Sequence, residues 1–253
     1  LKALLVHRSN PAVDFPGGAQ VEEALKNLDL LVVHDMLETE TTQLAKIVLP
    51  SNGPGLDEGT TTNIGGRVQS RRKSLDTNHI ADWKLISLML KELGDETDYS
   101  RAAKVLDEIS KKVPGYEEIN FRGVGKFGLN REKVSCEEVS IGNASVDSAA
   151  KLRLRISNYL FAHDKILDAS SKLAHHFKTS MAFFNEKDAD SVNVGDGDFV
   201  RVLGNGMEIN AEVKVDNRCQ EGGIVVPKIS DEQGINGLET LDGSLAWVSI
   251  EKV

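Results

Sequence analysis

The chain begins with an apolar run, Leu1-Lys2-Ala3-Leu4-Leu5-Val6, which reads as a strand with both faces covered. After the polar turn His7-Arg8-Ser9-Asn10-Pro11, residues 19–27 carry Val21, Ala24 and Leu25 at helical spacing that Leu28 continues. Asp29 leads into a second apolar strand, Leu30-Leu31-Val32-Val33, and residues 39–46 read as a short helix. A third strand, Ile47-Val48-Leu49, stops at Pro50. Strand, helix, strand, helix, strand is the pattern of a parallel α/β unit.

Residues 51–76 are rich in Gly, Thr, Asn and Ser and show no sustained period, so a long loop is expected there. Helical spacing returns in residues 82–93 through Trp83, Ile86, Leu90 and Leu93, with Gly94 as a stop. A second amphipathic helix is expected over residues 99–112 before Pro114. Residues 115–150 mix glycine, charge and short apolar pieces in the manner of a linker or irregular excursion. Beyond it the period changes to two. Residues 152–156, 199–203, 209–215, 224–226 and 246–250 alternate or run as short strands, and Gly204-Asn205-Gly206 reads as a hairpin turn. Many short strands in about 100 residues predict a small barrel or sandwich. The expected organisation is therefore an α/β unit over residues 1–114, a linker over 115–150 and a β-domain over 151–253.

Composition narrows the function classes. The chain has 253 residues and a net charge of −9, which disfavours nucleic acid and anionic membrane surfaces as partners. No apolar run reaches the roughly 18 residues that cross a bilayer, so direct membrane insertion is not expected. The opening in mid-strand without methionine predicts a piece of a longer protein, whose upstream part supplies further strands and helices. Cys136 and Cys219 stand far apart without metal-ligand spacing and read as free thiols of a reducing compartment. His175-His176 are adjacent, so their side chains diverge on a helix or strand, and a solvated pair is the plainer reading. Arg71-Arg72-Lys73 reads first as hydrated surface and second as a contact for an acidic partner.

The chemistry-bearing stretch is Asp35-Met36-Leu37-Glu38-Thr39-Glu40-Thr41, followed by Ala45-Lys46-Ile47-Val48-Leu49-Pro50 and a segment from Glu58 through Gly59, Thr60, Asn63 and Arg67 to Gln69. Asp35 follows an apolar strand, where open α/β sheets place ligand contacts. It is equally able to orient its own loop, with Thr39 capping the next helix and Glu40 at its positive end. This ordered set resembles the molybdopterin oxidoreductase family, in which a strand ending in Asp precedes Thr-Glu-Thr, a Leu-Pro strand end and a Gly-Thr-x-x-Asn-x-x-x-Arg-x-Gln segment. Asn10-Pro11, Ala81-Asp82-Trp83, Asn185-x-x-Asp188-Ala189 and the run from Val194 to Val200 fit the same pattern. The resemblance covers nearly the whole chain except the linker.

The resemblance implies an incomplete Rossmann-like sheet followed by a double-psi β-barrel. It implies that His34, Asp35, Asp57 and Asp82 lie where cofactor-binding members contact a molybdopterin guanine dinucleotide. It makes Asn10, Thr39, Thr60, Asn63, Arg67 and Gln69 family-motif positions. Two departures point to a vestigial crevice. Asp57 stands where such members commonly carry lysine, and a carboxylate repels a diphosphate. The segment Ser157-Asn158-Tyr159-Leu160-Phe161-Ala162-His163-Asp164 lacks a basic, hydroxyl-rich clamp. The resemblance is strongest to the branch containing the large iron-sulfur subunit of respiratory complex I. It implies a cytoplasmic scaffold, peripheral to the inner membrane, that meets other subunits of a respiratory or dehydrogenase complex. Electrons would pass from NADH toward quinone through iron-sulfur clusters elsewhere in the parent. This piece alone is then expected to hold no cofactor, catalytic residue or metal, and to be inactive. The alternative is the C-terminal half of a Mo- or W-pterin formate dehydrogenase that clamps the dinucleotide.

Overall fold

The computed structural model describes residues 1–76, 78–97, 99–135, 152–158, 180–228, 235–239 and 246–253. Cys136, His175, His176, the later part of the linker and most of the clamp-position segment fall outside the described residues. The chain divides into two compact units, one of Leu1–Val33, Leu37–Ile47 and Gly142–Val253, the other of His34–Met36 and Val48–Ile141.

Strand β1 (Ala3–His7), β2 (Leu30–Asp35) and β3 (Ile47–Pro50) form a three-stranded parallel sheet in the order β1-β2-β3. Helix α1 (Pro11–Asp14) is a single turn that begins on proline, whose fixed φ suits a first helical position. Helix α2 (Gly18–Lys26) follows, and α3 (Glu40–Leu44) joins β2 to β3. Val6, Leu25, Leu28, Leu31 and Val33 make the core here, the positions that helical and strand spacing select. One expectation fails in part. The opening run is not covered on both faces, because Leu1 is 93% and Leu5 is 43% exposed.

Residues 51–76 are not a structureless loop. Strands β4 (Gly59–Thr62) and β5 (Arg67–Arg71) form a hairpin, and β6 (Leu129–Asn130) extends it into a second sheet, β4-β5-β6. The expected linker therefore contributes ordered elements, β6 and the short helix α6 (Phe121–Val124). Helices α4 (Asp82–Glu92) and α5 (Ala102–Lys112) complete the second unit. α5 starts at Ala102 rather than near Tyr99, whose hydroxyl instead donates to Glu108 on that helix. That bond pushes the Tyr99 pKa up to about 12, with help from burial and the Glu108 charge. Val68, Leu106, Ile119 and Val124 form the core of this unit.

The β-domain is a barrel, not a sandwich. Strands β7 (Leu152–Asn158), β8 (Met181–Phe184), β9 (Phe199–Gly204), β10 (Met207–Val215), β11 (Gly223–Lys228) and β12 (Trp247–Lys252) close in the order β10-β8-β11-β7-β12-β9. Two parallel pairings, β7 with β11 and β8 with β10, interlock with antiparallel ones, the double-psi arrangement. Closure removes exposed strand edges. The β9–β10 turn is the expected one: Asn205 and Gly206 have φ of 48° and 77°, the positive pair that a two-residue hairpin turn demands, and Gly204 pairs with Met207. β8 and helix α7 (Glu186–Ser191), capped by Asn185 accepting from Lys187 N, were not expected from periodicity. Phe184, Val200, Val202, Val213, Ile224, Val226 and Val248 are fully buried inside.

A 3-10 turn (Ile235–Leu238) ties the barrel to α1 and α2 within the first unit. Asn236 Nδ2 donates to the carbonyls of Val13 (3.0 Å) and Asp14 (2.9 Å), satisfying groups that a one-turn helix leaves open. Lys228, 7% exposed, places Nζ 3.2 Å from Asp14 Oδ1. Gly18 approaches Gly237 so closely that a Cβ would sit 3.0 Å from its Cα.

Candidate functional site

The second unit gathers three of the four expected contact residues around one helix start. His34 and Asp35 end β2, and Ser51 and Asn52 follow β3, so both strands deliver polar groups from their carboxyl ends, where open α/β sheets bind ligands. Asp82 opens α4, where its charge meets the positive end of the helix. It is 8% exposed, accepts from Ser51 Oγ at 3.0 Å and from Asn52 N at 3.3 Å, and lies 3.5 Å from His34 Nε2. Asn52 Nδ2 donates to Asp57 Oδ1 at 2.8 Å and to the Ile80 carbonyl at 2.9 Å. Asp57 is 3% exposed, so this carboxylate is a buried acceptor rather than a surface charge. Asp35 is set apart: its Oδ1 accepts from Met36 N at 2.7 Å, and its carbonyl accepts from Ser51 N. It orients its own turn, one of the two roles open to it from sequence.

The family-motif residues separate into two structural devices. In the first unit, buried Asn10 locks α1 to α3. Its Oδ1 accepts from Thr41 N (3.0 Å) and Thr41 Oγ1 (2.7 Å), and its Nδ2 donates to Glu40 Oε2 at 2.7 Å. Thr39 caps α3 as expected, in a reciprocal box with Thr42. In the second unit the remaining residues build the β4–β5 hairpin. Asn63 Oδ1 accepts from Arg67 N at 2.9 Å, and Arg67 Nη1 donates to the Phe127 carbonyl at 2.8 Å. Thr60 pairs with Ser70 and Thr61 with Gln69, whose side chain is exposed. The motif is therefore spread over two local structures.

Sequence reasoning missed Ser51 and Asn52, which tie Asp82 and Asp57 together, and Lys228 and Asn236, which anchor the barrel to α1. The only signal for the first pair is its place directly after a strand-ending proline. Cys219 is a free thiol, as expected, and burial with the nearby Asp216 charge pushes its pKa up. Among the described residues no helix is long and apolar enough to cross a membrane.

The described side chains of this network do not fit a diphosphate. Such a group needs cations or convergent N–H donors. At this strand end Asp57 and Asp82 present carboxylates, and the Asn52 amide nitrogen already donates to Asp57 and the Ile80 carbonyl.

Comparison with known proteins matches residues 1–92 to the molybdopterin oxidoreductase family. The chain is 35% identical over 142 residues to F420-dependent formate dehydrogenase 1 subunit alpha of Methanococcus maripaludis, covering 54% of this chain and 21% of that protein. It is 26% identical over 260 residues to NADPH-Fe(3+) oxidoreductase subunit alpha of Geobacter sulfurreducens, covering 100% of this chain and 30% of the relative. It is 29% identical over 233 residues to an NADH-quinone oxidoreductase subunit of Rhizobium meliloti, covering 89% and 27% respectively. The chain thus spans less than a third of the length of each of these relatives. Among solved structures, acetylene hydratase from Pelobacter acetylenicus superposes with a TM-score of 0.75, covering 100% of this chain and 44% of that one at 14% identity, a likeness of fold alone. Residues 1–92, with their Asp35, Thr39-Glu40-Thr41 and Asn63-to-Gln69 motifs, match the molybdopterin oxidoreductase family domain.

Proposed function

We propose that this chain is the C-terminal scaffold region of a complex I-type peripheral-arm subunit, with residues 1–114 as its α/β part and residues 151–253 as its barrel. In this reading electrons pass from NADH toward quinone through iron-sulfur clusters carried elsewhere in the polypeptide. The assembly lies on the cytoplasmic side, peripheral to the inner membrane. His34, Asp35, Asp57 and Asp82 are then vestiges of a dinucleotide crevice. The observation that supports this most is the Ser51–Asp82 and Asn52–Asp57 network, which fills the strand end with the chain's own polar groups. The full-length relatives named as subunits support a place in a multi-subunit complex.

A second reading has its own support in the 35% identity to a formate dehydrogenase subunit. There the same region closes over one half of a Mo- or W-pterin guanine dinucleotide. GDP, which carries a guanine and a diphosphate, separates the two. Isothermal titration of this chain with GDP is expected to show no saturable binding up to about 1 mM, the concentration equivalent to only about 4 kcal/mol of affinity. Saturation at micromolar GDP favours the dehydrogenase.

A further inference from the structure

The outer wall of the barrel carries a groove of about 800 Å3 between the β7, β11 and β8 surface and the turn that holds Asp216, already paired with Arg218. Alternation along β7 sends Leu154 into the core and leaves Arg153 and Arg155 exposed on the outside. Val225 stands in register between Arg155 on one side and Phe183 on the other, forming an apolar floor beside the guanidinium groups. Next to Arg153 in the ladder is Gly223, which adds no side chain to the groove lining.

The charge pattern marks this surface out. The described barrel cations other than these two each have a carboxylate. Lys187 meets Glu221, Arg201 meets Glu208, Lys214 meets Glu212, Arg218 meets Asp216, Lys228 meets Asp14 and Lys252 meets Asp198. Arg153 and Arg155 alone have none among the described residues, although the chain carries 39 acidic against 30 basic side chains. They are two residues apart on one strand face, about 7 Å by strand geometry, and they line the same groove.

We propose that this groove docks an extended acidic segment of a partner subunit, with carboxylates on Arg153 and Arg155 and an apolar side chain over Val225 and Phe183. Arginine presents a planar fork that matches a carboxylate, and an extended chain repeats same-side groups at the spacing of the two arginines. A small oxyanion would use the arginines and leave the apolar floor idle, which is why a peptide is the better occupant. The inference goes beyond the scaffold reading and is read out without metal or cofactor, so either can fail alone.

The test is fluorescence anisotropy at low salt with the 253-residue chain and two labelled peptides, Glu-Glu-Phe-Glu-Glu and Gln-Gln-Phe-Gln-Gln. The acidic peptide is expected to bind at least about tenfold more tightly, and the preference to weaken at high salt. Arg153→Gln with Arg155→Gln should abolish that preference, whereas Arg201→Gln should keep it. Unchanged thermal melting of the double variant shows that the barrel is intact, as expected for two exposed residues. Equal binding of both peptides overturns the proposal, as does an unaltered preference in the double variant. Displacement of the acidic peptide by submillimolar inorganic phosphate also overturns it, in favour of an oxyanion site.

Discussion

Phe184→Ala is expected to destabilise the barrel by about 3–5 kcal/mol, the largest loss from a single side chain among the described residues. The ring is fully buried at the end of β8, among Val202, Val213, Ile224 and Val226, and Phe184 pairs with Val215 on β10 and Ile224 on β11. Deleting it removes apolar burial and leaves a cavity where two neighbouring strands meet, and a closed barrel has little freedom to collapse around it. Trp247 on β12 reports on this unit, while the other tryptophan, Trp83, lies on α4. Urea unfolding followed by Trp247 fluorescence in a Trp83→Phe background should show the midpoint fall. A loss below about 1 kcal/mol would mean that the β8–β10–β11 junction is not the centre of the barrel core.

Asp82→Ala is expected to cost the second unit about 2–4 kcal/mol. The carboxylate accepts from Ser51 Oγ and Asn52 N, and these buried donors lose their acceptor together, each at about 1–3 kcal/mol. The start of α4 also loses its acidic first-turn residue. Asp82→Asn keeps an acceptor oxygen and the shape, so it should cost less than half as much. Denaturation of both variants, followed through Trp83, checks the order. Equal losses would show that charge at the helix start, rather than acceptance from Ser51 and Asn52, is what the position supplies.

The legible parts of the fold were those with a strong local period. β2 and α4 are apolar on schedule, and the β9–β10 turn needs two positive φ angles that Asn205-Gly206 supplies. Thr39 could be read as a cap because a hydroxyl just before a short helix has a local use. The β4–β5 hairpin was hidden because Val68 is the one fully buried apolar residue in two strands otherwise built of Gly, Thr, Gln, Ser and Arg. Its order comes from the turn at Asn63 and Gly66 and from packing against α5 and α6, which no period within the two strands themselves signals. β1 misled in the other direction, since an apolar run signals cover on both faces and Leu5 is 43% exposed.

The candidate site was legible as residue types but not as a network. Substitution of Asp57 for a cation could be read as repulsion of a diphosphate. That its carboxylate is buried against Asn52, and that Ser51 and Asn52 hold Asp82 across some thirty residues of chain, depends on the end of β3 meeting the start of α4. Asn10 shows the same limit. Its position before Pro11 suggested a turn, whereas in the fold its carboxamide joins α1 to Glu40 and Thr41. Lys228 gave no signal, because its partner Asp14 lies at the other end of the sequence.

The most direct test of the scaffold account is metal and pterin analysis of the full-length protein that carries this region, by elemental analysis together with fluorescence of the oxidised pterin. The account predicts iron without stoichiometric molybdenum, tungsten or pterin. Stoichiometric molybdenum or tungsten with pterin would contradict it and make this region half of a working cofactor clamp.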